Sequence, residues 1–204
     1  DPGFPRDAAA WCNSTGNQLI SKEASGGKSV VIIEKGEPKA CNIVTSCEGK
    51  GKTFIMFSDD LDKALATFVL ANGAAATGQK VTIFFTFWGL NVIKKLHKPK
   101  TEKDIFGKMF GMMLPSSSKK LKLSKMSMGG IGGKMMRYIM NKKGIDSLES
   151  LRQQALENGV EFIACQMSMD VMGVKQEELL DEVTIGGVAT YMERADNANV
   201  NLFI

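Results

Sequence analysis

The hydrophobic positions of this chain alternate between two periods from residue 52 onward. Residues 52–58 and 80–87 are apolar runs of strand length, rich in β-branched and aromatic side chains. The stretch between them has apolar residues at helical spacing, with capping residues before it at 58–60 and Gly78 after it; its stripe consists of Leu61, Leu65, Phe68, Val69 and Ala76. Since two buried strands around a helix are typical of a parallel βαβ unit, the pattern predicts an α/β domain.

The same alternation returns after residue 146. It predicts helices over 147–158 and 188–195, strands over 160–165 and 199–204, and three shorter pieces: a helix or turn at 169–173, a helical turn at 176–180 and an extended piece at 183–185. Together with the first two strands, this makes about five strands. We therefore expect a three-layer α/β fold around a mainly parallel sheet.

The first 51 residues follow a different pattern. A helix is predicted from Phe4 to a stop at 14–17, followed by two strands over 17–23 and 28–35. One helix on two strands buries little surface, so residues 1–37 form a small α+β piece that is not expected to be stable alone. Residues 38–51 hold glycine, proline and charges without an apolar period, and they are predicted as a linker before a domain at 52–204.

An insertion at about 94–143 interrupts the alternation. It holds fourteen Lys or Arg against two acids, a net charge of +12, whereas the rest of the chain carries −8. Eight of the thirteen methionines also lie there, in at least two short amphipathic pieces. We expect the methionine face to pack on the core or on a neighbouring subunit; docking of a partner protein and contact with an anionic membrane surface are the alternatives. A nucleic-acid site is not expected, since Tyr138 gives the lysines little stacking surface.

The four cysteines are irregularly spaced, which is not typical of a secreted disulfide scaffold. Cys41 and Cys47 match neither a redox pair nor a zinc pair, and Cys12 is expected to pack within its helix. The chain shows neither a signal-like leader nor an apolar run of about 20 residues that would span a bilayer. From these features we expect a reducing, cytoplasmic location.

Cys165 is the candidate reactive residue. It ends an apolar strand, and ligands of α/β domains usually bind at the carboxyl ends of strands. A helix start predicted at 168–170 favours the thiolate, which is the reactive form of cysteine. In that prediction Asp170 caps the helix, and the backbone N–H groups of 167–169 hold an anion. The alternative is a cysteine that only fills the core.

Other chemistry is weakly indicated. The single histidine, His97, lies in the basic insertion and cannot be placed near Cys165, so a Cys–His hydrolase is unsupported. The pair Gly186-Gly187 is compatible with a phosphate-binding turn or with tight packing. We predict no metal and no cofactor.

Residues 7–19, which read DAAAWCNSTGNQL, together with a following strand that ends at Lys35, resemble the C-terminal half of a TusA/SirA-like sulfur-carrier domain. Those domains carry their reactive thiol in a Cys-Pro-x-Pro motif near the N-terminus. This chain contains no such motif, and Cys12 does not match its position. The resemblance therefore implies a partial carrier domain without the active thiol.

Residues 52–204 resemble the DsrE/DsrF-like superfamily of sulfur-transfer proteins. The segments that carry the resemblance are FIMFSDD at 54–60, FFTFWGL at 84–90, ACQMSMDVMG at 164–173 and IGGVATY at 185–191. The chain is most similar to the branch found beside TusA-like, rhodanese and flavin-dependent CoA-disulfide reductase or NADH oxidase domains. Members are sometimes labelled peroxiredoxin family, but the Thr-x-x-Cys pattern of that family is absent here. The resemblance implies a compact α/β layer fold, homotrimers or hexamers, and a reactive cysteine at Cys165.

Two functions follow from these observations. The first is a sulfur carrier or sulfurtransferase component that holds sulfane sulfur as a persulfide on Cys165, with TusA-like, rhodanese or CoA-disulfide reductase proteins as donors and acceptors. The second is a non-catalytic oligomeric binding module that docks a flavin-dependent disulfide reductase or a membrane surface through the basic, methionine-rich insertion. The sequence leaves open whether the thiol is exposed or covered by that insertion.

Overall fold

The structure is a computed structural model, and it describes residues 12, 18–25, 28–34, 51–97, 99 and 105–204. The chain divides into two compact units, Asp1–Glu48 and Gly49–Ile204. In the described part of the first unit, β1 (Gln18–Ser25) and β2 (Lys28–Glu34) pair antiparallel, as the pattern predicted. Cys12 is helical and buried, which agrees with the packed role expected of it. The rest of its predicted helix, Cys41, Cys47 and most of the predicted linker lie outside the described residues.

The second unit is built on a sheet that, in the described part of the chain, has five strands with every neighbouring pair parallel. Its spatial order is β6-β5-β4-β3-β7. This confirms the predicted α/β class and the mainly parallel sheet of about five strands. The strands are β3 (Gly51–Met56), β4 (Val81–Phe85), β5 (Glu161–Cys165), β6 (Thr184–Gly186) and β7 (Ala198–Phe203).

Three helices of this unit, those at 61–76, 148–157 and 188–196, begin and end close to the predicted boundaries. The described helices of the unit are α1 (Leu61–Ala76), α2 (Ile105–Met113), α3 (Ile131–Lys142), α4 (Leu148–Glu157), α5 (Gln166–Met172) and α6 (Val188–Asp196). Short 3-10 helices connect them at Phe87–Ile93, Ser118–Lys120, Met128–Gly130 and Gln176–Glu178. Among the described residues, no helix combines the length and the apolar character needed to cross a bilayer.

Two apolar clusters lie on opposite faces of the sheet, because successive side chains of a strand point to opposite sides. On β5, Phe162 and Ala164 belong to the larger cluster, which also contains the buried residues of α1 and α4. Ile163 and Cys165 belong to a smaller cluster with Phe84 and Tyr191, and Tyr191 comes from α6. The strand order explains this division: β3 to β6 step across the sheet in one direction, and the chain then returns to β7 through α6, so a right-handed crossover places α6 on the opposite face.

Two sequence-based details are wrong. Val69 and Ala76 of the predicted α1 stripe are exposed, while Ala64, Thr67 and Ala71 are buried in their place, since the helix turns a slightly different side toward the sheet. The capping residues at 58–60 do not bond to the helix amides either. Asp60 occupies the N-cap position without a side-chain cap, and its carboxylate accepts a hydrogen bond from Ser58 Oγ at 2.8 Å.

The insertion is anchored to the domain by a few buried contacts. Leu121 lies in the large core cluster, and Glu149 of α4 accepts hydrogen bonds from Ser118 Oγ at 2.8 Å and from Arg137 at 3.1 Å. The expected packing of the methionine face on the chain's own core is largely wrong. Of the eight methionines, only Met140 is buried in the described part of the chain, and the exposed ones are Met109, Met112, Met113, Met126, Met128 and Met135.

Candidate functional site

Cys165 lies at the junction of β5 and α5. It is the last residue of the strand, and it occupies the N-cap position of the helix with extended backbone angles (φ −71°, ψ 114°). The helix therefore begins at Gln166, two residues before the predicted start, because the strand passes into it without a loop. The first backbone N–H groups of α5, including those of residues 166–168, have no partner within the helix and stand next to the thiol along the chain.

The thiol is covered by the face of the domain that carries α6. Cys165 is 2% exposed, and its apolar neighbours in the small cluster are Phe84, Ile163 and Tyr191. The rings of Phe84 and Tyr191 lie 5.2 Å apart between centroids, and the Tyr191 hydroxyl is 3.3 Å from Thr53 Oγ1. The insertion instead contributes Leu121 to the larger cluster on the other side of the sheet. Among the described residues, the helix that shares the thiol's cluster is therefore α6, through Tyr191.

Gly186 gives α6 its close approach to the thiol strand. It pairs in register with Cys165 on β5. A Cβ at this position would lie 2.8 Å from Ile163 Cγ2 and 3.2 Å from Thr190 Cβ, closer than packed side chains allow. Of the two sequence-based interpretations of Gly186-Gly187, tight packing explains the first glycine.

A pair of buried hydroxyl groups lies beside the strand end, and sequence reasoning missed it. Ala164 pairs with Phe85, so the next residues along the two strands are Cys165 and Thr86. Thr86 Oγ1 and Ser168 Oγ are 2.8 Å apart, with Ser168 at 0% and Thr86 at 9% exposure. The bond joins the end of β4 to the first turn of α5. A threonine after an apolar run gave no sign of its partner, which lies 82 residues away.

The role predicted for Asp170 is wrong. Asp170 lies inside α5 rather than at its start, and its carboxylate accepts a hydrogen bond from Gln166 Nε2 at 3.0 Å. Of the other residues considered for chemistry, His97 is exposed on the insertion, and Cys12 belongs to the first unit. Among the described residues, no three His, Cys, Asp or Glu side chains come together as metal ligands.

An ion pair holds the opposite end of β5. Glu161 accepts two hydrogen bonds from the Arg194 guanidinium, at 2.9 and 3.2 Å, and one from Thr82 Oγ1 at 2.9 Å. The hydrogen bonds from Arg194 lower the pKa of Glu161 below its ordinary value. This pair fixes the C-terminal end of α6 to the strand whose other end carries the thiol.

A partly buried hydrogen bond joins Asn91 to Asp59, which follows the carboxyl end of β3. The side chain of Asn91, which is fully buried, donates a hydrogen bond to Asp59 at 2.9 Å. Burial raises the pKa of Asp59. The carboxyl ends of β3, β4 and β5 therefore carry an acid, a hydroxyl pair and a thiol, in that order across the sheet.

The chain is similar to several known proteins. In one solved structure, the ychN protein from E. coli, 99% of the chain aligns with 76% of this one, at 9% sequence identity and a TM-score of 0.46. The uncharacterized protein YrkE of Bacillus subtilis (strain 168) is 44% identical over 155 residues, which cover 76% of this chain and 97% of the relative. The sulfur carrier protein DsrE2 of Allochromatium vinosum is 37% identical over 161 residues, 77% of this chain and 99% of the relative. Residues 49–203 match the model of the DsrE/DsrF/DrsH-like family, and the chain therefore belongs to that family.

Proposed function

We propose that this protein relays sulfane sulfur as a persulfide on Cys165. The observation that carries the proposal is the position of this thiol: residues 49–203, which match the family, contain a single cysteine, and it ends β5 at the first turn of α5. A relative named as a sulfur carrier is 37% identical to this chain over 161 residues, which cover 99% of the relative. Since carriage by thiol exchange needs a thiol, Cys165 is the group in this segment that can supply it.

The transfer is an exchange between sulfur atoms. The Cys165 thiolate, after its proton has passed to solvent, attacks the outer sulfur of a donor persulfide. A new S–S bond forms between Sγ and that sulfur, the donor's S–S bond breaks, and its electron pair leaves on the donor thiolate. A second thiolate then removes the outer sulfur from Cys165 in the same way. Each step keeps the number of S–S bonds constant, so no external oxidant or reductant is consumed.

The local backbone supports the anionic forms of this cycle. A thiolate or persulfide anion at the N-cap position lies next in the chain to the first turn of α5, whose N–H groups have no partners within the helix and favour negative charge. The bond from Thr86 to Ser168 holds that turn against β4. In this proposal both residues position the helix and take no part in the exchange.

Access to the thiol requires a movement, because Cys165 is 2% exposed. The outer sulfur of a persulfide adds an atom to a packed cluster, and a donor must reach it in line with the S–S bond. In our proposal α6 moves away from the sheet, since this nine-residue helix contributes Tyr191 to the buried cluster that contains Cys165. This opening is transient in the protein alone, which admits a small donor, and a donor or acceptor protein that holds α6 open speeds the transfer. The closed helix protects the persulfide between transfers.

The donors and acceptors that fit this proposal are proteins with reactive thiols of their own, of the TusA-like, rhodanese or CoA-disulfide reductase kinds. A homo-oligomer, as a trimer or a multiple of it, is part of the same proposal. We assign the relay to the cytoplasm, where thiols are kept reduced.

Intact mass spectrometry after incubation with glutathione persulfide tests the proposal. Wild-type protein is expected to gain the mass of one sulfur atom, and peptide mapping to place it on Cys165. The variant Cys165→Ser is expected to lose this gain. Cys12→Ser is the matched control, because Cys12 is also a buried cysteine, and it is expected to load like the wild type. Sulfur found on another cysteine, with loading unchanged in Cys165→Ser, would overturn the proposal.

A further inference from the structure

Helix α3 has apolar residues on two opposite sides. Its inner side is buried and contains Gly132, Gly133 and Met140. Its outer side presents four large apolar residues to solvent, which we call the outer stripe: Ile131, Met135, Tyr138 and Ile139. Their spacing of four, three and one residues places them on one side of an α-helix. Ile131 is 64% and Tyr138 69% exposed, so no described residue of the second unit covers the stripe.

The inner side of α3 is held so closely that the helix cannot turn the stripe inward. A Cβ at Gly132 would overlap the backbone carbonyl oxygen of Met126, and one at Gly133 would lie 3.2 Å from the carbonyl oxygen of Leu121. Arg137 adds a hydrogen bond to the carbonyl oxygen of Ser118 at 2.9 Å. These contacts fix the rotation of the helix about its axis. The outer stripe is therefore a constant feature of the surface.

The charge around the stripe has one sign. Residues 105–145 contain eight lysines and one arginine and no Asp or Glu. Lys134, Lys142 and Lys143 lie on or beside the outer side of α3, and all three are exposed. Arg137 faces inward and is paired with Glu149 at 3.1 Å, so the positive charge around the stripe is carried by lysines. An apolar stripe bordered by lysines, on a helix of 12 residues, is complementary to a surface that is apolar below and anionic above.

We propose that the outer stripe lies in the surface of an anionic lipid membrane. The helix is about 18 Å long, at roughly 1.5 Å per residue, and its apolar side runs along its whole length, so it rests parallel to the surface. The stripe enters the boundary between headgroups and acyl chains, and the lysine stems lie along that boundary with their ammonium groups at lipid phosphates. The tyrosine suits the same depth, with its ring apolar and its hydroxyl in water.

A protein partner fits these residues less well. The centres of protein interfaces are poor in lysine, and they favour arginine and aromatic anchors that fill pockets. Here the lysines stand next to the apolar residues, and the arginine is engaged within the domain. Flexible lysines border the stripe without a fixed geometry, which a fluid headgroup layer accepts and a partner surface does not.

Co-sedimentation of the whole chain with vesicles tests the proposal. Vesicles of phosphatidylglycerol and phosphatidylcholine are compared with vesicles of phosphatidylcholine alone, at low and high salt. Binding is expected to the anionic vesicles and to fall with salt, because headgroup attraction is screened over about 10 Å at 0.1 M salt. Changing Lys134, Lys142 and Lys143 to Gln is expected to lower the partition coefficient about a hundredfold, at about 1 kcal/mol per lysine near an anionic surface.

Matched controls distinguish the effect of the outer stripe from the effect of removing any three charges or any two exposed apolar residues. The triple Lys22, Lys80 and Lys175 to Gln removes the same charge from exposed lysines outside the insertion, and it is expected to change binding by less than about tenfold.

A second experiment tests the apolar residues by changing Ile131 and Tyr138 to Ser. Its control changes Val69 and Leu70 on α1 to Ser, since these two residues are also exposed. The first pair is expected to lower binding more than tenfold and the control pair to leave it unchanged.

Three results would overturn the proposal. The first is equal binding to both kinds of vesicle, and the second is loss of binding in the lysine triple without loss in the stripe variant. The third is no vesicle binding together with self-association, or capture of an acidic protein, that the stripe variant abolishes. Sulfur loading of the same variants on Cys165 is expected to match the wild type, so failure here is distinguishable from failure of the relay.

Discussion

The bond between Thr86 and Ser168 is expected to stabilise the thiol junction by an amount that a thermodynamic cycle can measure. The variants are Thr86→Val, Ser168→Ala and the double variant. Thr86→Val leaves the Ser168 hydroxyl, at 0% exposure, without its partner and without water, and such a loss costs about 2 kcal/mol. Ser168→Ala costs less, about 1 kcal/mol, because Thr86 keeps some contact with solvent. When both hydroxyls are removed, no unpaired group remains, so the double variant is expected to lose only about 1 kcal/mol.

Urea unfolding of the four proteins gives the three free-energy differences, provided that the m-value is unchanged. The expected coupling between the two sites is about 2 kcal/mol. Thr184→Val is the control, since this threonine is exposed and water can replace its hydrogen bond to the Phe162 carbonyl oxygen, and it is expected to change stability by less than about 1 kcal/mol. A double variant whose loss equals the sum of the single losses would refute the reasoning, because the hydroxyls would then act independently.

The same cycle has a kinetic readout at the thiol. Movement of α6 leaves the bond between Thr86 and Ser168 intact, so alkylation of Cys165 by iodoacetamide is expected to proceed at the wild-type rate in all variants. If the thiol were reached by opening of the junction instead, a local loss of about 1.4 kcal/mol would accelerate labelling about tenfold. Labelling of Thr86→Val more than about ten times faster than wild type would therefore refute α6 as the route of access.

Two further predictions concern the ends of the strands. Gly89→Ala is expected to destabilise the protein by about 3 kcal/mol or more, because its Cβ would overlap the backbone carbonyl oxygen of Met56; a midpoint of urea unfolding equal to that of the wild type would contradict this. Glu161 has a lower pKa in the folded protein than in the unfolded chain because of Arg194, so its stabilising contribution is complete above pH 4.5 and is lost as the pH falls through the lowered value. Glu161→Gln is therefore expected to show a weaker loss of stability on acidification, and parallel pH curves for the two proteins would contradict it.

The fold followed from the sequence because its signals are local. Buried parallel strands are continuous apolar runs, and helix ends carry Gly78 or Ser147, whose own chemistry stops or caps a helix. Ser147 accepts the capping bond from the Ser150 N–H at 3.1 Å, as its position indicated. The side of α1 that faces the sheet was less well predicted, since alanine and threonine at buried positions give a weak periodic signal.

Only part of the candidate site could be predicted from such local signals. The strand end at Cys165 is a local feature and was predicted, but its burial in one cluster with Tyr191 depends on the return of the chain through α6 to the opposite face of the sheet. The hydroxyl pair joins residues 82 positions apart, and neither Thr86 nor Ser168 differs in sequence from an ordinary surface residue. The sequence did not decide between the core and a neighbouring subunit for the methionine face for a related reason: an amphipathic pattern shows that a face is apolar but does not identify what covers it.

The place of β7 in the sheet has a consequence for biosynthesis. β3 can pair with β4 soon after both strands have been made. The other edge of β3 stays unpaired until β7 has been made, about 140 residues further along the chain. At translation rates of roughly 5–20 residues per second, that edge stays open for about ten seconds or longer on the ribosome. During this time the backbone groups of β3 are available to another nascent chain. The nascent domain thus depends on its last strand to close the edge of its first, and a chain that stalls before β7 is made is expected to aggregate.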